Sequence, residues 1–181
     1  IIEKLNKYGF RRIILCCYYK ANSFKEYIKN NHNKNLVLVK EKTKLGTLGS
    51  ILNLIVKKKK LSNIIYVGNG DTFSKINLKN MIKFFLKNRI NVAMGSSYVK
   101  NTKRYGKLNI KGKFITTISE KKQKGPGFIN NGNYIIKKKI FQFMRIRKSS
   151  LEKDFFPKYC KQNKIGVFKS KKDDFFDIGT S

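Results

Sequence analysis

Short apolar runs recur along this chain, and a stretch of helical spacing separates each run from the next. "RRIILCC", "LVLVKE", "SNIIYVGNGD" and "NVAMGSSYV" are the runs; "NSFKEYIKNN", "GTLGSILNLIVKKKK" and "NLKNMIKFFLKN" lie between them. Strands that are apolar on both faces need cover on both sides, and helices between successive strands supply it. The pattern therefore predicts an α/β fold with a parallel sheet in this half of the chain. An opening helix, "IIEKLNKYG", puts Ile1, Ile2, Leu5 and Tyr8 on one face and stops at Gly9. The helix in "NSFKEYIKNN" is expected to be capped by Asn22 or Ser23.

The pattern changes after "NVAMGSSYV". "YGKLNIKGKFITTISEK" predicts two strands turning at Lys111-Gly112. "GFINNGNYIIKK" predicts a further strand, with a short helix near "KIFQFM". "SLEKDFFPKYCKQN" predicts a helix capped by Ser149 or Ser150 and interrupted at Pro157, and "IGVFKSKKDDFFDIG" a strand, a turn and a strand. Residues 1–181 are thus expected to form one α/β domain with a mixed sheet toward its C-terminal end, and 40% hydrophobic content is enough for a core.

Charge raises a second possibility. Lys and Arg number 42 against 10 Asp and Glu, for a formal net charge of +32. A basic module that binds nucleic acid or an anionic surface would have this balance. A solvated lysine coat would have it too. Six basic residues are arginine (Arg11, Arg12, Arg89, Arg104, Arg145 and Arg147), whereas base readout and phosphate forks favour Arg. The lysines spread over nearly every segment, so no specific nucleic-acid partner is expected; the coat should lie on outer helical faces at Lys57 to Lys60, Lys79, Lys83, Lys87 and Lys137 to Lys139. Cys16, Cys17 and Cys160 lack metal-ligand or disulfide spacing and fit buried thiols in a reducing cytoplasm. His32 lies in a polar loop. No apolar run reaches the roughly 18 residues of a membrane span.

In open α/β sheets, ligands gather beyond the C-terminal ends of parallel strands. Three places in this chain fit. "EKTKLGTLGS" runs from a strand into a helix; Gly46 and Gly49 permit close backbone approach, either to an anion or base edge or simply within a tight turn. Asp71 follows a strand and glycines, where a carboxylate either holds Mg²⁺ or caps a turn. Asp177 ends the run before Gly179. Of the 10 acids, Glu41, Asp71, Glu120 and Asp177 stand at apparent strand ends.

These segments together resemble the sugar nucleotidyltransferases. "LGTLGSI" is similar to that family's LGT-[AG]-G-[AS]-[IL] loop and "VGNGDTF" to its N-G-D-x-[FL] metal motif. "ISEK" resembles F-x-E-K, "INNGNYII" the [IV]-N-A-G-[IV]-Y strand, and "FFDIGTS" the D-I-G-T-P end. All five occur in family order, over nearly the whole chain, with a flavour closest to the guanylyltransferases of heptose 1-phosphate or mannose 1-phosphate. Asn131 and Asn133 replace small and apolar residues of that strand, Ser181 stands in place of proline, and Leu48 in place of Ala or Gly.

The resemblance implies a Rossmann-like mixed sheet with helices on both faces, the nucleotide-diphospho-sugar transferase fold. Its reaction joins a nucleoside triphosphate, GTP favoured, to a sugar 1-phosphate, releasing pyrophosphate, with Mg²⁺ as cofactor and the cytoplasm as location. Asp71 and Asp177 would hold the metal. Leu45, Gly46, Thr47 and Gly70 would bind the nucleotide, and Gly106, Glu120 and Asn130 the sugar, with Lys121 paired to the sugar phosphate and counted as catalytic. The family's first strand and glycine-rich G-x-G-[TS]-R loop would precede Ile1. Residues 1–181 are accordingly expected to be a partial domain that makes little nucleotide-sugar until its opening segment is restored. The rivals are the non-catalytic basic module and an inactive gene fragment.

Overall fold

The computed structural model describes residues 1–30, 34–57, 61–119, 124–170 and 175–178. The chain gathers into two compact units, Ile1–Lys58 with Arg145–Ser150, and Lys59–Met144 with Leu151–Ser181.

In the first unit, helix α1 (Ile2–Lys7) leads into strand β1 (Ile13–Cys17), helix α2 (Ala21–Asn30), strand β2 (Leu36–Lys40) and helix α3 (Gly46–Val56). Gly9, at φ +74°, takes the left-handed turn after α1 that other residues avoid. Strands β1 and β2 pair in parallel, Ile13 opposite Leu36 through Cys17 opposite Lys40. Helix α2 begins at Ala21, so Asn22 and Ser23 lie inside its first turn and do not cap it. The turn is made earlier, where Lys20 adopts φ 50°.

The larger unit contains β3 (Ile64–Gly68), β4 (Thr72–Ser74), α4 (Leu78–Lys87), β5 (Val92–Val99), β6 (Leu108–Lys111), β7 (Phe114–Ile118) and β8 (Gly127–Lys137). A 3-10 turn (Lys138–Phe141) follows, then a π turn (Leu151–Phe155), α5 (Phe156–Gln162), β9 (Ile165–Lys169) and β10 (Phe175–Asp177). Six strands form one mixed sheet in the order β3-β8-β5-β9-β7-β6.

The expected parallel sheet needs correction. Among the described residues, only β1–β2 and β5–β9 pair in parallel; β8 runs antiparallel to both β3 and β5. Unbroken apolar sequence reports burial on both faces, and it does so equally for a strand that returns in the opposite direction. The centre of the sheet is buried in this way, with every residue from Val92 to Ser97 and from Asn131 to Ile136 inside. Helix α4 covers β5, β8 and β9 and buries Leu78, Met81 and Phe85, the i, i+3, i+7 stripe of an amphipathic helix. Asn77 caps it, its Oδ1 accepting from the Asn80 amide at 3.0 Å.

The predicted hairpin turns at Gly112, which adopts φ +59°. Pro157 does not break a helix. It sits in the first turn of α5, where its missing N–H costs nothing, and the irregularity lies before it in the π turn. No helix among the described residues is long and apolar enough to cross a membrane.

Candidate active site

The larger unit brings described residues of "VGNGDTF", "INNGNYII" and "FFDIGTS" against one another. Asp71 is exposed, in the turn between β3 and β4. Strand β4 pairs with β10, setting Asp177 opposite Thr72, and the Ile178 amide donates to the Asp71 carbonyl at 3.0 Å. The backbones of the two aspartates are therefore neighbours, although β4 was not anticipated from the sequence. Gly70 is exposed in the same turn.

Beside this ribbon, β8 is kinked. The β5–β8 register shifts between Met94 and Ser96, and Gly132 adopts φ +74°. A Cβ on Gly132 would lie 2.7 Å from Thr72 Oγ1, and one on Gly95 2.5 Å from Asn131 Oδ1, so both positions require glycine. The kink brings Asn69 against β8, its amide donating to the Gly132 carbonyl at 2.9 Å.

The two asparagines that depart from the family pattern form a buried polar network here. Asn133 Nδ2 donates to Ser74 Oγ at 3.0 Å, and its Oδ1 accepts from the Tyr66 hydroxyl. Asn131 Nδ2 donates to Ser97 Oγ at 3.1 Å. Strand β4 is thus tied to the sheet through Ser74. A buried amide left without such partners would destabilise the fold by about 1–3 kcal/mol.

Asn130, expected to face the sugar, is held inside the protein at both ends of its amide. Its Nδ2 donates to Tyr134 Oη at 2.7 Å and its Oδ1 accepts from the Gly132 amide at 3.0 Å. Tyr134 in turn donates to Glu152 Oε1 at 2.9 Å, and Asn69 Nδ2 reaches the same oxygen at 3.4 Å. Burial raises the Tyr134 pKa well above its ordinary value, and the Glu152 charge adds to the shift. The hydroxyl therefore stays protonated as a donor. Burial alone lifts Tyr66 to about 12.

Glu152 was missed in the sequence. It lies in "SLEKDFF", where it reads as one charge of an amphipathic helix, and the scarcity of acids was the available signal.

Gly106 also reaches this region. A Cβ there would meet the Ser119 carbonyl at 3.0 Å, the residue before Glu120. Lys107 bridges Ile129, the neighbour of Asn130, and its carbonyl accepts from the Ser119 amide at 2.9 Å. Tyr105 packs edge-on against Phe175 of β10 at 5.4 Å. Glu120 and Lys121 lie outside the described residues, as do His32, Lys58 to Lys60 and Gly179 to Ser181. Among the described residues, no group of three or more His, Cys, Asp and Glu comes together.

The first unit contains the other motif by itself. At the start of α3, the Leu48 and Gly49 amides donate to the Ser149 carbonyl at 3.1 and 3.2 Å, and the Ser149 amide donates to Leu45 O at 2.8 Å. A Cβ on Gly46 would lie 2.6 Å from Ser149 O, and one on Gly49 2.6 Å from Arg147 O. These glycines admit a passing backbone segment, and two amides of the helix start serve that contact. Leu45, Gly46 and Thr47, at the start of α3, are half-buried. Glu41 is buried at 5% exposure, where β2 ends. Cys16, Cys17 and Cys160 are half-buried free thiols.

The lysine coat is only partly helical. Lys57, Lys79, Lys83, Lys87 and Lys139 are exposed, but Lys137 and Lys138 are half-buried at the end of β8, and Lys138 Nζ donates to Leu61 O at 3.3 Å.

The sequence and fold are similar to those of known guanylyltransferases. The chain is 32% identical over 184 residues to the D-glycero-alpha-D-manno-heptose 1-phosphate guanylyltransferase of Campylobacter jejuni, covering 99% of this chain and 78% of that protein. It is 31% identical over 178 residues to the enzyme of the same name from Aneurinibacillus thermoaerophilus, covering 97% and 76%. The crystal structure of HddC from Yersinia pseudotuberculosis superposes with a TM-score of 0.85 at 32% identity, over 98% of this chain and 77% of that one. A second structure of HddC is a complex with GMP-PN. The fold is that of the nucleotide-diphospho-sugar transferases, and a non-catalytic basic module is not favoured. The nucleotidyl transferase family model matches residues 1–181, and with motifs, fold and relatives in agreement this chain belongs to that family.

Proposed function

We propose that the protein transfers a guanylyl group from GTP to a sugar 1-phosphate of the heptose or mannose type, giving a GDP-sugar and pyrophosphate. The choice of guanine and of sugar rests on the names of the relatives and on the GMP-PN complex of HddC. The observation that carries the reaction type is the β4–β10 ribbon, which makes neighbours of Asp71 and Asp177 from opposite ends of the larger unit.

In the reaction, an oxygen of the sugar phosphate forms a bond to the α-phosphorus as the bond to the β-phosphate breaks. Two anions must be held together, so orientation and charge compensation account for most of the catalysis. The donor chemistry at the ribbon fits a hard divalent cation: Asp71 is an exposed carboxylate, and Mg²⁺ commonly takes only one or two protein carboxylates beside phosphate oxygens. Asp71 and Asp177 would hold it, and when bound it supplies neutralisation of charge on the phosphate oxygens.

The chain's own residues do the rest in this proposal. Leu45, Gly46, Thr47 and Gly70 bind the nucleotide. Gly106, Asn130 and Glu120 bind the sugar, and Lys121 pairs with its phosphate. Glu152 joins them through Tyr134 and Asn69, holding the Asn130 carboxamide and the Asn69 turn in one orientation. Residues 1–181 belong to one nucleotidyltransferase domain, at work in the cytoplasm, where nucleoside triphosphates are supplied. The test is to incubate the full-length protein with Mg²⁺, each of the four common nucleoside triphosphates and a panel of sugar 1-phosphates. GDP-sugar and pyrophosphate should appear in equal amounts with heptose or mannose 1-phosphate. Nucleotide-sugar from no combination would refute the proposal.

A further inference from the structure

The dipeptide Asn-Gly occurs at Asn69-Gly70 and again at Asn131-Gly132. A glycine after asparagine leaves its main-chain nitrogen free to approach the side-chain amide carbon, because no Cβ stands in the way. The fold treats the two dipeptides differently. Asn131 is 0% exposed; its Nδ2 donates to Ser97 Oγ at 3.1 Å, and its Oδ1 accepts from Asn133 Nδ2 at 3.1 Å. The Gly132 nitrogen, which would have to attack, donates instead to Asn130 Oδ1 at 3.0 Å. Both residues lie inside β8, so reaction there must wait for the strand to open.

Asn69-Gly70 is far less restrained. Gly70 is exposed in the turn between β3 and β4, and a Cβ built on it would meet nothing within 4 Å. Among the described residues its amide makes no hydrogen bond. Asn69 Oδ1 likewise has no donor there, and Asn69 Nδ2 makes a long contact of 3.4 Å to Glu152 Oε1. We infer that Asn69 is a site of self-modification: in the folded protein it deamidates to aspartate and isoaspartate, whereas Asn131 does not. The Gly70 nitrogen gives its proton to water and bonds to Asn69 Cγ. The Cγ–Nδ2 bond breaks, ammonia leaves, and a five-membered succinimide remains. Water then opens the ring at either carbonyl, with no change of oxidation state. Opening at the main-chain carbonyl gives isoaspartate, which adds one carbon to the main chain just ahead of Asp71 and so alters the turn that carries it. The inference goes beyond the proposed reaction and does not depend on it.

The test is to hold the full-length protein at mildly alkaline pH and follow both dipeptides by peptide mass spectrometry. Isoaspartate is scored with an isoaspartyl methyltransferase. In the folded protein, acid should form at position 69 at least about tenfold faster than at position 131, the equivalent of one opening step of about 1.4 kcal/mol. In urea, where neither dipeptide is held, the two rates should agree to within about threefold. Gly70→Ala, which has room for its methyl group, should slow the reaction at position 69 by at least about tenfold, with the thermal midpoint as the check on folding. Equal rates at the two positions in the folded protein would overturn the inference. So would acid at position 69 that forms only after unfolding, or an undiminished rate in folded Gly70→Ala.

Discussion

Asp177 stands opposite Thr72 in a ribbon of three residues per strand, and the amide that follows it, on Ile178, donates to the carbonyl of Asp71 at 3.0 Å. Ser74 anchors this ribbon through Asn133 and the kinked centre of β8. Two acidic motifs far apart in sequence are thus brought together by a short pairing that rests on a buried amide network.

A first prediction concerns metal affinity. Mn²⁺, followed by electron paramagnetic resonance in the presence of GTP, should bind the protein, and Asp71→Asn should weaken that binding by at least about tenfold, the scale of one charged ligand interaction. Unchanged Mn²⁺ affinity would remove Asp71 from the metal site.

The second concerns the Asn130–Tyr134–Glu152 chain. Tyr134→Phe removes one hydroxyl, and with it one hydrogen bond from Asn130 Nδ2 and one to Glu152 Oε1. The expected loss is about 1–3 kcal/mol of stability, seen as a lowered thermal midpoint. If Asn130 positions the sugar, KM for the sugar 1-phosphate should rise more than KM for GTP. A stability loss with both constants unchanged would make the chain purely structural.

Glycine at position 46 should be irreplaceable for reasons of packing. Gly46→Ala forces a side chain into left-handed backbone at φ +76° and to 2.6 Å from the Ser149 carbonyl. A loss of about 1–3 kcal/mol is expected, measured by denaturant unfolding. Gly70→Ala, with open space around its Cβ position, should cost much less.

Alkaline pH should destabilise the protein through its half-buried Cys16 thiol. Cys16 is raised from 9.0 to about 12, so the unfolded chain loses that proton first. Stability contributed by the protonated thiol is complete below pH 9 and falls as pH rises toward 12. Tyr66, raised from 10.0 to about 12, adds in the same direction. Cys16→Ala should flatten the dependence of the thermal midpoint on pH above 9. An equally steep curve in the variant would contradict this.

Much of the fold was legible because it depends on local periodicity. The α4 stripe, the Gly112 turn and the apolar strands all announce themselves within a few residues. Sheet direction was not legible, since burial on both faces leaves the same trace in the sequence of β8 whichever way the strand runs. The β4 strand escaped notice because Thr72, Phe73 and Ser74 acquire their structure from β10, a partner about a hundred residues away. The site divides similarly. Asp71 and Asp177 were visible where strands run out into glycine, whereas the part of Glu152 depends on Tyr134 and Asn69, contacts that only the fold makes.

The most direct test compares turnover in the unaltered full-length protein, Asp71→Asn and Asp177→Asn, supplied with GTP, Mg²⁺ and the sugar 1-phosphate it uses best. Pyrophosphate release is followed with GMP binding measured alongside as the check on folding. Each variant should bind GMP normally and lose at least about a hundredfold in kcat, the equivalent of some 3 kcal/mol of transition-state stabilisation. Turnover within a few-fold of the unaltered protein in either variant would contradict a shared site at the β4–β10 ribbon.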